Sequence, residues 1–259
     1  MFIPVLLSIL ALRPDSTCTG PTTAPRLDHV VLAVSDLDAA KRRFAALGFR
    51  LKPGRLHANN LLNSHIKFRD GSELELMTVA GPARDRMAEE YRALIAAGDG
   101  GAYVALRTAD LEAVAAAARR LHLAPRRATS GSWEFLSFPP RSDAGAVFFV
   151  AGGERSQDPD SLVRHADGSL RLQEAWVEAG PGLTRLLSAI GVRTCSTAAG
   201  PGGRNGRRRA LGSGSLVIVP LANPSRLPRV LGAVLATPDS SEYRGRTRSA
   251  LPSFWLGYR

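Results

Sequence analysis

Apolar residues along the chain follow two periods in turn, a period of two that marks strands and one near 3.6 that marks helices. The run LDHVVLAV at 27–34 reads as a strand, and in SDLDAAKRRFAALGF after it Leu37, Ala40, Phe44 and Leu47 step along one helical face. Ser35 with Asp38 approximates a capping box, and Gly48 is a natural helix stop. From Asn63 to Thr78 the sequence NSHIKFRDGSELELMT alternates on both sides of Asp70-Gly71, which predicts two strands joined by a tight turn. With a two-residue loop, Phe68 sits across from Glu73 and Ile66 across from Glu75. Glu73 and Glu75 then share a face, and His65 points away from it.

The same pattern recurs. AYVALRT at 102–108 precedes ADLEAVAAAARRLHL, in which Leu111, Val114, Ala118 and Leu121 take the places of the first helix's apolar residues; SWEFLSF and GAVFFV supply the strands that follow. A weaker copy runs from RLQEAWVEA at 171–179 through Leu183, Leu187 and Ile190 to GSLVIVPL at 214–221. In a fourth, RVLGAVLAT at 229–237 is a first strand and SFWLGYR at 253–259 a last one, with no helix between them. Each copy is a βαβββ module that cannot bury its sheet face alone, so modules must pair. The chain divides into a leader or disordered N-terminus at 1–25, a first unit at 26–155 (modules 26–80 and 100–151), a linker at 156–168 around SQDPDS, and a second, degenerate unit at 169–259. No residue before Leu27 belongs to the repeat, so removal of 1–25 is expected to leave the fold intact.

Composition narrows the classes. The 259 residues carry a net charge of +11, which invites a polyanion partner. The cations, however, are scattered Arg among Ala, Gly and Pro, and the one dense run, GGRNGRRRA at 202–210, reads as a solvated Gly-rich loop. Nucleic acid is therefore not the expected partner. MFIPVLLSILAL has the length of a signal-peptide core but lacks a basic n-region and a clear cleavage site, so the sequence leaves cytoplasmic and exported locations both open. It is too short to span a bilayer, and no later run is longer, so no integral membrane segment is expected. Cys18 and Cys195 are too few for a disulfide framework and lack metal-ligand spacing. Nothing in the sequence fixes the oligomeric state.

LDHVVLAVSDLDAAKRRFAALGF together with DGSELELM resembles the vicinal oxygen chelate superfamily, in its glyoxalase-like branch, over most of 26–259. The resemblance implies an α+β fold in which tandem βαβββ modules pair into half-open barrels, each around one site. It also implies a divalent metal ion (Mn, Fe, Ni or Zn) held by a residue of the first strand and a Glu of the last, positions that His29 and Glu75 match. The repeat offset places Tyr103 and Phe149 at those positions in the second module, Leu172 and Ile218 in the third, and Gly257 at the end of the fourth. Tyr103, His57 and Asn63 are the candidates for contacting a bound oxygen, and Glu75 is also the candidate general base. Trp133, Phe135, Phe148 and Phe149 are expected to form an apolar wall. Two functions follow: a metal-assisted lyase, isomerase or dioxygenase acting on a small oxygenated or electrophilic molecule, or a metal-free protein that binds or sequesters such a molecule in the same cleft.

Overall fold

The computed structural model describes residues 18–153, 157–223, 226–239 and 241–259. In the first module β1 (Arg26–Ala33), α1 (Leu37–Ala46), β2 (Lys52–Leu56), β3 (Leu61–Lys67) and β4 (Glu73–Val79) follow one another. Helix α2 (Arg86–Ala96) leads to the second module, β5 (Gly100–Arg107), α3 (Leu111–Arg120), β6 (Arg126–Ser130), β7 (Trp133–Ser137) and β8 (Val147–Gly152). A single turn, α4 (Asp160–Val163), precedes β9 (Arg171–Ala179), α5 (Pro181–Ala189), β10 (Thr194–Ala199), β11 (Asn205–Ala210) and β12 (Ser215–Pro220). The last module is β13 (Val230–Ala236), β14 (Thr247–Leu251) and β15 (Phe254–Tyr258), with no helix among the described residues between β13 and β14.

Every module has one logic: its first strand lies parallel to its last, β1 with β4, β5 with β8, β9 with β12 and β13 with β15. Modules then pair through their first strands, β1 antiparallel to β5 and β9 antiparallel to β13. The two units meet where Val230 of β13 pairs with Gly101 of β5. A Cβ at Gly101 would stand 2.2 Å from the Val230 carbonyl oxygen, so only glycine allows that approach. The fold is α+β, with an open sheet curled into half-barrels.

Alternation sorts the side chains. Val30, Leu32, Leu74 and Leu76 join the large core that takes in Leu37, Ala40 and Phe44 of α1. Val31, Ala33, Leu61 and Met77 face the other way, under Ala88, Tyr91 and Leu94 of α2. This second, inner face carries the candidate site, and α2 covers one part of it.

Several expectations need correction. Asp36, not Ser35, caps α1, accepting from the Ala39 amide at 2.8 Å, while Ser35 bonds to Asp99. The run at 202–210 is no loop throughout: Asn205–Ala210 is strand β11, in which Arg208 and Arg209 are buried. Of the stretch assigned to the leader, residues 18–25 are held in the fold. Cys18 is disulfide-bonded to Cys195, Ala24 is buried, and the Gly20 amide donates to the Leu211 carbonyl at 2.9 Å. Removing 1–25, expected to leave the fold intact, would take these contacts away, and residues 1–17 lie outside the described residues. Among the described residues no helix is long and apolar enough to cross a membrane.

Candidate functional site

The β3–β4 hairpin decides which side chains share the inner face. Phe68 and Ser72 close it, with the Phe68 amide donating to the Ser72 carbonyl and the Gly71 amide to the Phe68 carbonyl. The loop is therefore three residues long, and its last residue, Gly71, has φ +82°, the left-handed conformation that this turn reserves for glycine. One extra loop residue shifts the pairing by one: His65 faces Glu75 and Lys67 faces Glu73, where a two-residue loop would have placed Ile66 and Phe68. His65 thus lies on the same face as Glu75, contrary to the expected register.

A second irregularity lies in β1. The pairing of β1 with β5 shifts between Leu27 and His29, and Asp28 is the extra residue. At this bulge the Asp28 carboxylate reaches His29 Nδ1 at 2.6 Å and accepts from Arg107 Nε at 2.8 Å. With Nδ1 so held, the imidazole directs Nε2 towards Glu75, whose Oε2 is 3.8 Å away. The His29 and Glu75 side chains are 12% and 13% exposed, so they are sheltered but open at one edge. On its other oxygen Glu75 accepts from Asn63 Nδ2 at 2.8 Å, and Asn63 Oδ1 accepts from the Arg55 amide at 2.8 Å. Gly54 makes room for this: a Cβ there would stand 2.0 Å from Asn63 Oδ1. Asp28–His29 and Glu75–Asn63 are two hydrogen-bonded pairs that meet at the 3.8 Å approach of His29 to Glu75, and together they form one polar string across β1, β4 and β3.

Charge around the string is balanced within the face. Glu73, beside His29 in the β1–β4 register, accepts from Lys67 Nζ, and His65 Nδ1 is 3.4 Å from it without hydrogen-bond geometry. Asp158 of the linker pairs with Lys52 at 2.5 Å and approaches Lys67 at 3.9 Å. Burial works against a charged His29, but the Asp28 hydrogen bond and the charges of Asp28, Glu73 and Glu75 outweigh it and raise the imidazole above its ordinary value. Burial also raises Glu73, yet His65, His29 and Lys67 together hold its carboxyl well below the carboxylate range. His57 is pushed down, by burial first and Arg55 next, and its Nε2 is buried without a hydrogen-bond partner. Glu75, Asn63 and His65 all act on that ring, which places it beside the string.

Tyr103 pairs with Val31, one step along from His29, and its ring packs against Tyr91 of α2 and Phe148. Its phenol is raised, by burial and then by Glu90, so it stays protonated. Phe148 pairs with Ala105 and sets its edge on His29, ring centroids 5.4 Å apart. Phe148, not Phe149, thus occupies the inner-face place that Glu75 holds in the first module; Phe149 points into the large core. Phe135 adjoins Phe148, and Trp133 lies under the Arg107 guanidinium at 4.7 Å, completing the apolar wall. In the second unit Leu172 and Ile218 also belong to the large core. Its inner face instead carries Glu174, closed by Trp176 Nε1 at 2.7 Å, Arg208 Nε at 2.5 Å and Ser215 Oγ at 2.9 Å. That network and the Trp176–Trp255 ring pair fill the place of a second site. An open groove of about 540 Å³, lined by Ser35, Asp36, Asp38, Lys41 and Thr78, lies at the N-terminal end of α1 and shares Asn63 with the string.

The donor set tests the metal expectation. His29 Nε2 and Glu75 can both face one ion, but among the described residues no group of three or more His, Cys, Asp or Glu side chains is placed to hold one. Catalytic metal centres commonly use three protein ligands, so these residues do not fit such a centre.

Four modules paired through their first strands, together with a glyoxalase-like domain match, place the chain in the vicinal oxygen chelate superfamily. The glyoxalase-like domain model matches residues 27–181, and the chain belongs to that family. No curated protein matches it. Among solved structures, a hypothetical protein from Staphylococcus aureus aligns with a TM-score of 0.62 at 11% identity, over 91% of this chain and 99% of that one. An extradiol ring-cleaving dioxygenase from B. fuscum gives 0.53 at 16% identity, covering 87% of this chain and 60% of its own. A mutant of 4-hydroxymandelate synthase from Streptomyces coelicolor gives 0.55 at 13% identity, over 84% and 72%. At these identities the likeness is one of fold.

Proposed function

We propose that the inner face of the first unit binds a small molecule with two adjacent oxygen functions and moves a proton on it. The observation that carries this reading is the string Asp28–His29–Glu75–Asn63, ending beside a buried His57 nitrogen that has no partner. Asp28 fixes the imidazole so that Nε2 is presented to the ligand, and it favours the protonated ring. His29 then acts as the acid. Glu75 is the base, oriented by Asn63. His57 Nε2 offers a ring nitrogen to a ligand oxygen, a bond that would satisfy an otherwise costly buried group. Phe148, Phe135 and Tyr103 bound the ligand's apolar side, and Tyr91 closes the end under α2. The step is a proton transfer of the isomerase or lyase kind, and none of it is routed through a metal.

Binding without turnover is the second reading, favoured by Phe148 in the place where the second module would otherwise repeat the Glu. The test is a panel of catechols, 2-oxo acids and 2-hydroxy ketones, with binding followed by calorimetry and conversion by mass spectrometry. Binding that His57→Ala and Asn63→Ala weaken, with conversion lost in His29→Ala and Glu75→Gln, supports the enzyme reading. Binding with no conversion of any member supports sequestration, and no binding at all removes both. Metal analysis of the native protein against His29→Ala and Glu75→Ala separately decides whether Mn, Fe, Ni or Zn enters: a stoichiometric ion lost in both variants would overturn the metal-free step.

A further inference from the structure

The cysteine pair is the one covalent feature that the proposed function does not use. Cys18 and Cys195 are the chain's two cysteines, they are bonded to each other across a sequence separation of 177, and their Cα atoms are 5.7 Å apart, within the ordinary span of a disulfide. Cys18 begins an arm, residues 18–25, that runs into β1 of the first unit while lying on the β11–β12 turn of the second. The Gly20 amide donates to Leu211 at 2.9 Å, the Gly212 amide to Pro25 at 2.9 Å, and the Leu27 amide to Ser213 at 3.2 Å. The fit is close on both sides: a Cβ at Gly20 would lie 2.7 Å from the Ala210 carbonyl oxygen, and one at Gly212 would lie 2.6 Å from that of Ala24. Cys195 is on β10, the edge strand of the second unit. The bond therefore joins the start of the first unit to the far edge of the second and encloses the whole first unit in a covalent loop.

We propose that this protein is exported to a thiol-oxidising compartment, where Cys18–Cys195 closes as a clasp that locks the N-terminal arm across both units. An arm buried at Ala24 and Pro25, hydrogen-bonded to the second unit and stapled by both of the chain's cysteines, fits an oxidising milieu, because cytosolic thiols are kept reduced. The apolar run at 2–12 precedes the arm, separated from it by Arg13 to Thr17, and has the length of an export signal's core; processing between that run and Cys18 would leave the clasp whole. Closure is a thiol–disulfide exchange with the disulfide of a thiol oxidoreductase. One cysteine thiolate attacks it to give a mixed disulfide, and the second thiolate displaces the carrier. The chain loses two protons and two electrons as its S–S bond forms, and the carrier leaves as a dithiol.

The full chain, expressed with its own N-terminus, tests both parts. Bacterial cells are quenched in acid, free thiols are trapped with a maleimide, and cytosolic and exported fractions are analysed by mass spectrometry. Expected are an exported protein whose N-terminus lies between residues 2 and 18, no trapped thiol, and one peptide pair linking Cys18 to Cys195. Cytosolic protein with two trapped thiols overturns the export, and exported protein with two trapped thiols overturns the clasp. On purified protein, a thiol reductant is expected to lower the melting temperature by about 5 to 15 °C and to raise amide exchange in residues 18–25. Cys18→Ser with Cys195→Ser is expected to show the same loss and no further effect of reductant. An unchanged melt and an arm that stays protected after reduction would leave the clasp without a role.

Discussion

Asp28 is one residue out of step with its own strand, and that displacement equips His29. In a regular strand the carboxylate would point to the core face that Val30 occupies; the bulge brings it to His29 Nδ1 and Arg107 Nε. Asp28→Asn keeps the shape and removes the charge. The His29 pKa, raised in the native protein, is expected to fall in the variant, because burial, which lowers it, is then opposed by Glu73 and Glu75 alone. Imidazole NMR titration reads this directly, and an unchanged His29 value in Asp28→Asn would refute the proposed coupling. His29 and Glu75 were legible as neighbours because each sits at a regular position of a module's first or last strand, whereas His57 lies in the β2–β3 turn. The sequence concealed Asp28 because a bulge breaks the period of two on which strand reading depends. It misplaced His65 for a related reason: Asp70-Gly71 signals a turn but not whether the loop has two residues or three.

Elements differ in how openly they announce themselves. Helices α1 and α3 bury one stripe each and were legible from it, as were strands such as β1 and β13 that are apolar over most of their length. Strand β6, RRATS, has no buried residue and is defined by its partner β7 alone. Helix α2 belongs to no repeat, although Asp85 caps it and Ala88, Tyr91 and Leu94 form its buried stripe. Its C-terminal end is fixed from the other unit: Arg229 donates to the carbonyls of Leu94 and Gly98 at 2.7 Å and of Ala97 at 3.3 Å. Arg229→Met leaves three carbonyls without that donor and is expected to cost about 2 kcal/mol. It should also raise amide exchange in α2 well before the rest of the first unit, measured by hydrogen exchange. Gly71→Ala tests the hairpin in the same terms. Forcing a side chain into φ +82° is expected to cost about 1 kcal/mol in urea denaturation, and a neutral result would mean that the three-residue loop does not set the register.

Across the whole molecule, four modules could be read from their apolar rhythm, whereas the way two units share one core could not, because the contacts that align them follow no apolar period. Gly101 against Val230 is one, the arm at 18–25 is another, and His165 is a third. The His165 ring sits in the linker segment, accepts from the Arg50 amide through Nδ1 at 3.0 Å, and donates through Nε2 to the Lys67 carbonyl at 2.9 Å. Phe49 and Phe68 press their edges or faces on it, with ring centroids 5.4 and 5.3 Å away. Accepting from an amide requires a neutral ring, so protonation must break the Arg50 bond. Burial lowers the His165 pKa from its ordinary 6.5, more than the Lys67 bond and Asp167 raise it. Between the folded and unfolded values the unfolded chain holds more protons, so stability from this residue is complete above pH 6.5 and is lost as pH falls towards the folded value. His29 acts in the opposite sense: with its folded value raised, its contribution is complete below pH 6.5 and lost as pH rises through that value. Glu73 adds stability that disappears only as pH falls below the ordinary carboxylate value of 4.5, so it stays constant through the histidine range. Urea midpoints near pH 7.5 and near pH 5 therefore separate the histidines when the native chain is compared with His165→Gln. The native chain is expected to lose more stability on acidification than the variant, because glutamine preserves hydrogen bonding without titrating. Equal losses in both would show that the linker contact does not carry the acid sensitivity of the joined units.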